Sequence, residues 1–193
     1  MSDLSSIAQR SRCEWVDQPA GVDENSAAIV ELMNASSDDD GILGYPDPLT
    51  PEQARGFIET LRFAVATGAV QLMLYRIDDA VRGMVQLNVS HAPNSLHIAN
   101  LSKGVMHPEA RGLAAMRVAF AAIVERAREL AIEVLTLDVR QGSKACLIWH
   151  HYGFTTYGIL PDYIRYAGKS HDGDYMSQRV DNLAAFLRSQ EGH

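Results

Sequence analysis

Apolar residues change their spacing several times along this chain, and each change predicts a change of element. Residues 1–22 have no clear period and read as a polar, loosely docked arm. In residues 26–33, Ala28, Ile29, Leu32 and Met33 fall at helical spacing, until the serine- and aspartate-rich run 36–41 stops them. GYPDP at 44–48 is turn chemistry. Thr50, Pro51 and Gln53 then mark a helix start: the threonine can cap, the proline suits the first helical position, and the glutamine can close a capping box. Phe57, Ile58, Leu61 and Val65 continue that helix on one face, and Gly68 ends it.

From Val70 the pattern becomes that of strands. VQLMLYRI at 70–77 is apolar on both faces, as a central strand requires, and Asp78-Asp79 makes a turn. Val81, Gly83, Val85, Leu87 and Val89 then alternate with more polar neighbours, HAPNS at 91–95 turns again, and a third strand is predicted over 96–106. The connections are too short for crossovers, so the three should form an antiparallel meander. A long helix follows at 112–131, with Leu113, Met116, Phe120, Ile123, Val124, Ala127 and Leu130 on one face and Arg117, Glu125, Arg126, Arg128 and Glu129 off it. A strand at 133–139 completes one crossover, so it should lie parallel and adjacent to 96–106. Beyond it come a helix at 143–152, a short strand at 154–157, a turn-rich segment at 158–173, a strand at 174–180 and a tail helix at 182–188. The predicted fold class is α/β in the α+β sense: a mixed, mostly antiparallel sheet with helices on both faces. After the arm 1–22, residues 23–193 read as one domain.

Composition narrows the partners. The 193 residues are 47% hydrophobic and 21% charged, which suits an ordinary globular chain. The net charge of −7 argues against nucleic-acid binding, which rests on basic surface. Cys13 and Cys146 lie far apart and form no CxxC or zinc pattern, so inert thiols in a reducing compartment are expected. His150-His151 has no metal-binding partner pattern and reads as solvated or capping, so no metal is expected. No apolar run reaches membrane-spanning length and the N-terminus has no signal-peptide core, so the expectation is a soluble cytoplasmic protein without a membrane partner.

The stretch HPEARGLAAMRVAF at 107–120 leads from the third strand into a helix N-terminus, where unpaired N–H groups and partial positive charge favour phosphate. With VRGMVQLNV (81–89), KGVMHPEARG (103–112), ELAIEVLTLDVRQGSKA (129–145), HHYGF (150–154) and GILPDY (158–163) in this order, the chain resembles the GCN5-related N-acetyltransferases (GNAT) over roughly residues 70–180. Within them it looks most like the branch that includes the tabtoxin-resistance acetyltransferase. The resemblance implies the GNAT fold, acetyl-CoA as cosubstrate and a small amine as acceptor. CoA would lie between the strands ending near Met106 and Val139, with Val105 and Met106 lending backbone groups to its pantetheine arm. Its pyrophosphate would rest on His107, Arg111, Gly112, Leu113, Ala114, Ala115 and Met116. Arg111 matches the first position of the family pattern Q/R-x-x-G-x-G/A, but Ala114 and Met116 replace its glycines. Backbone N–H groups survive that change, and a helical residue 114 makes alanine harmless. The Met116 side chain points either towards the phosphates or into the core. His107 is either a phosphate contact or a turn histidine. Lys103, Arg111 and Arg117 are either phosphate contacts or a solvated basic face.

The resemblance also assigns proton-transfer positions. Asn100 stands where the branch has a glutamate, three residues ahead of Lys103; it can orient a water or an amine but cannot take a proton. Asp138 matches a second candidate acceptor, or is a strand-end aspartate bound to loop N–H groups. Trp149 stands where the family often has a thiolate-protonating tyrosine. Tyr152, three residues on, either substitutes for it or fills its usual core slot. Asp162, Tyr163 and Tyr166 lie in the segment that shapes the acceptor pocket in related enzymes. The expected function is therefore acetyl transfer from acetyl-CoA to the amine of an amino-acid-like compound, antibiotic or toxin, with Asp138, Asn100 and Tyr152 as catalytic candidates and Trp149 against the cosubstrate. A catalytically degenerate acyl-CoA-binding protein and an acyltransferase using another donor remain as alternatives. The family often forms dimers, and nothing in the sequence decides whether this chain does.

Overall fold

The computed structural model describes residues 10–37, 43–166 and 168–190. Seven strands follow one another in the order β1-β2-β3-β4-β5-β7-β6. They are β1 (Ser11–Val16), β2 (Val70–Ile77), β3 (Ala80–Val89), β4 (Ile98–Met106), β5 (Val134–Arg140), β6 (Thr155–Tyr166) and β7 (Lys169–Arg179). The helices are α1 (Pro19–Glu24), α2 (Ser26–Ser37), α3 (Pro51–Ala66), α4 (Leu113–Glu129), α5 (Lys144–His151) and α6 (Val180–Ser189), and a 3-10 turn spans Pro108–Ala110. The chain divides into two compact units, one drawn from Met1–Val89 and Ser102–Ala122, the other from Ser90–Leu101 and Ile123–His193.

In the first unit β2 runs antiparallel between β1 and β3. Strand alternation sorts its side chains: Leu72 and Leu74 join Val16, Ile29, Leu32, Leu61, Val65 and Met84 in one core cluster, whereas Tyr75 packs on the other side with Ala110 and Ala115. Helix α3 starts as the sequence predicts: the Thr50 hydroxyl accepts from the Gln53 N–H, and the Gln53 side chain accepts from the Thr50 N–H. The region 1–22 departs from the expected loose arm. Residues 11–16 pair with 72–77, and residues 19–24 are helical. Their short alternation (Cys13, Trp15 against Arg12, Glu14) is a strand pattern too brief to stand out beside polar flanks. Helix α2 also runs to Ser37, four residues beyond the expected end at 33.

In the second unit β5 pairs parallel with β4 through Ile98↔Val134, Ala99↔Leu135 and Asn100↔Thr136, as the crossover predicts. Leu135, Leu137 and Val139 are buried, so Thr136 and Asp138 face the opposite side. The expected turn-rich segment 158–173 is instead the body of a long antiparallel hairpin, β6 with β7. Gly158, Pro161 and Asp162 looked like turn residues but lie at register shifts, between Thr156 and Gly158 and between Leu160 and Ile164. An edge strand tolerates both glycine and proline at such bulges. Strand β6 is exposed along most of its length, which removes the apolar alternation that would have revealed it. Leu130, assigned to the apolar face of the long helix, falls just beyond α4 and is exposed.

Candidate active-site residues

In the first unit the end of β4 lies close against β3 because residue 83 is glycine. A Cβ there would come 2.4 Å from Met106 Sδ and 3.0 Å from the Val105 carbonyl. Val105 and Met106 are half-buried, and the His107 N–H donates to the Arg82 carbonyl at 2.8 Å. His107 then caps the 3-10 turn: its Nδ1 accepts from the Glu109 N–H at 3.4 Å and lies 3.6 Å from the Glu109 carboxylate. That is the geometry of a turn histidine. The Arg111 guanidinium folds back, its Nε donating to the Met106 carbonyl at 3.1 Å.

Gly112 has φ +155°, inside the range that disfavours a side chain. Its carbonyl accepts from the Met116 N–H at 3.1 Å, the first turn of α4. The N–H groups of Leu113, Ala114 and Ala115 precede that bond, so they have no intrahelical acceptor. Ala114 is helical, the condition under which losing a glycine there costs nothing. Ala115 is buried beside Tyr75, and Met116 is half-buried. The Lys103 ammonium donates to the Leu43 carbonyl at 2.7 Å and lies 5.9 Å over the Tyr45 ring. Both Lys103 and Arg111 thus donate to backbone carbonyls of nearby segments.

In the second unit Asn100 Nδ2 donates to Thr136 Oγ1 at 3.4 Å, and that hydroxyl donates to the Ala99 carbonyl at 3.4 Å. Two residues along β5, the exposed Asp138 accepts a short hydrogen bond from the Tyr163 hydroxyl. The Tyr163 side chain is thus a hydrogen-bond partner of Asp138. Burial pushes the Tyr163 phenol well above its ordinary value, and the Asp138 carboxylate pushes it further. The phenol therefore stays protonated and donates. Its ring lies on Gly173 of β7, where a Cβ would come 2.4 Å from Tyr163 Cγ, and edge-on to Tyr175 at 6.3 Å. Just before it, Asp162 takes φ +54°. Its backbone N–H donates to Asp172 Oδ1 at 3.1 Å, and its carboxylate binds Arg165 and Ser170. The Arg165 guanidinium, then the Ser170 hydroxyl, hold that carboxyl well below the usual range.

Tyr152 takes the core slot: it is 3% exposed and packs edge-on against Phe186 and His151 at 5.7 and 5.2 Å. Of the two readings of Tyr152, its burial and ring packing favour the core slot. Trp149 is half-buried, edge-on to Phe154 at 5.1 Å. The sequence reading missed Gly173 as the seat of Tyr163 and missed Tyr163 as the partner of Asp138. A glycine facing an aromatic across a hairpin is a usable signal only once the register is known.

Taken with the strand order, these elements have the fold of the GNAT acetyltransferases. A solved acetyltransferase structure from Salmonella typhimurium, yncA with its cofactor acetyl-CoA, matches at TM-score 0.70 and 16% identity, covering 89% of this chain and 95% of that one. A GNAT-family acetyltransferase from Streptococcus pneumoniae matches at TM-score 0.68 and 17% identity, over 88% of this chain and 98% of the other. A ribosomal-protein-alanine N-acetyltransferase from Brucella melitensis matches at 0.67 and 18%, over 86% and 98%. No protein-family model matches the chain. Among the described residues no helix is long and apolar enough to cross a membrane.

Proposed function

We propose that this chain is an acetyl-CoA-dependent N-acetyltransferase acting on a small amine. The observation that carries the reading is the start of α4: Gly112 opens a helix whose first three N–H groups lack intrahelical acceptors, in a fold whose Salmonella representative holds acetyl-CoA. Those groups and the helix dipole suit a pyrophosphate without side-chain help, so Ala114 and Met116 are compatible with binding. In the reaction the acceptor nitrogen must lose its ammonium proton, attack the thioester carbonyl and expel the CoA thiolate, and it sheds a second proton to that thiolate or to solvent as the amide forms. Asp138 is the candidate to take the proton, directly or through water, and Asn100 to orient the amine. The thiolate needs no dedicated acid: with a thiol pKa of about 8.5 it is a tolerable leaving group near neutrality.

The test combines binding and turnover. Calorimetric titration should show acetyl-CoA binding, and a free-thiol assay across an amine panel should show turnover. Asp138→Ala should lower kcat by about 100-fold, the lower end of a general base's contribution, while acetyl-CoA still binds. Unchanged kcat at saturating substrate would remove Asp138 from the mechanism. Absence of binding at millimolar acetyl-CoA would end the CoA reading altogether.

A second reading has its own observation. The Asp138 carboxylate is engaged by Tyr163 and the Asn100 amide by Thr136, an arrangement equally suited to a protein that holds acyl-CoA without transferring the acyl group. Binding with no thiol release on any amine favours it.

A further inference from the structure

We infer that Cys146 and His150 of α5 and Asp174 of β7, whose ligand atoms lie within 4.8 Å of one another, form a zinc-binding site. The inference is independent of the acetyltransferase reading. Cys146 and His150 are four residues apart, so they stand one above the other on the same face of α5. Asp174 approaches from β7, its Oδ2 3.3 Å from Cys146 Sγ. A tetrahedral zinc, with Zn–S of about 2.3 Å and Zn–O of about 2.0 Å, holds sulfur and oxygen about 3.5 Å apart. Two of the three donors therefore already stand at the required separation. The third, His150, is exposed and can rotate inward, which also leaves an entry path for the ion.

The surroundings of Asp174 supply the second argument. It is 4% exposed, and its side-chain partners are neutral: Gln141 Nε2 donates to Oδ1 at 3.2 Å, and the Cys146 thiol donates to Oδ2. A buried carboxylate without a cation is expensive, whereas a divalent ion would compensate it. The Gln141 bond is what an orienting outer partner of a metal ligand does: it occupies one oxygen and aims the other at the sulfur. Zinc binding would displace the thiol proton, and thiolate plus carboxylate would then neutralise the ion. A mixed sulfur, nitrogen and oxygen set suits zinc among the common divalent ions, and three protein ligands leave a fourth position for water. Without a metal, the same Cys146 and Asp174 are a plain hydrogen bond and His150 has no part in it.

Cobalt titration of the reduced full-length chain separates the two. The site predicts a thiolate-to-cobalt charge-transfer band saturating at one equivalent and removed by added zinc. His150→Ala, which truncates an exposed side chain, should weaken cobalt binding by about 100-fold or more, since even outer partners cost 10–100-fold. Cys13→Ser and His151→Ala should leave the band unchanged. Circular dichroism confirms that the His150 variant is folded. No band at one equivalent, a cobalt affinity unchanged in His150→Ala, a band that depends on Cys13, or a cobalt complex that zinc does not displace would each overturn the proposal.

Discussion

Tyr163 fixes where the Asp138 carboxylate points. The phenol donates to Oδ2, and the ring is held between Gly173 and Tyr175, so the pair behaves as one unit. Tyr163→Phe keeps the packing and deletes the bond. It should lower kcat about tenfold, the effect of losing an orienting partner, with the KM for acetyl-CoA unchanged. Equal kcat values in the two proteins would show that Asp138 needs no positioning. The same bond has a pH signature. Tyr163 is held above its ordinary value, first by burial and then by the Asp138 charge. Any stabilisation from the neutral phenol is therefore complete below about pH 10 and is lost only as pH rises through the raised value. At this scale Asp138 was legible only through the resemblance, which matches LTLDV to an aspartate-bearing strand. Its partner was not, because the contact joins residues 25 positions apart across a hairpin whose bulges conceal its register.

The hairpin β6–β7 is the element on which this pair depends. The left-handed Asp162, tied to Asp172, Arg165 and Ser170, makes the bend that precedes Tyr163, and Gly173 leaves the space into which the ring fits. Gly173→Ala should cost about 1–3 kcal/mol through overpacking, read as a lowered urea midpoint. Much of that cost should vanish in a Tyr163→Ala background, because the colliding atoms belong to that ring. A cost that persists undiminished there would mean that Gly173 serves the backbone and not Tyr163. Elements with local signals were readable: the capping box of α3 stands where the sequence put it, and β3 covers the stretch whose alternation predicted a strand. Strand β6 was not, because a mostly exposed edge strand carries no apolar period and its glycine and proline mimic turns.

For the whole molecule the prediction concerns linkage. A ligand that binds only the folded chain stabilises it by about 2.7 kcal/mol at a hundred times its Kd. For a chain of this length that corresponds to a rise in Tm of roughly 5–10 °C. Acetyl-CoA should produce that shift in a calorimetric scan, and desulfo-acetyl-CoA, which keeps the pyrophosphate, a comparable one; no shift with either would contradict CoA binding at α4. The order of elements was legible at this scale from the strand, helix, strand crossover. Strand β4 and helix α4 each contribute residues to both compact units, and neither shows a break in its apolar pattern.

The first strand has a consequence for how the protein behaves in a test tube. Strand β1 sits at the end of the sheet and covers β2, and its outward groups include Arg12 and Glu14. The strand beneath it, VQLMLYRI, is long, apolar and free of proline, the profile of a segment that pairs with copies of itself. What the sequence presents as a loosely docked arm thus includes a charged guard on a sticky edge. A version trimmed to begin after Val16 would expose that edge, and its characteristic failure would be self-association.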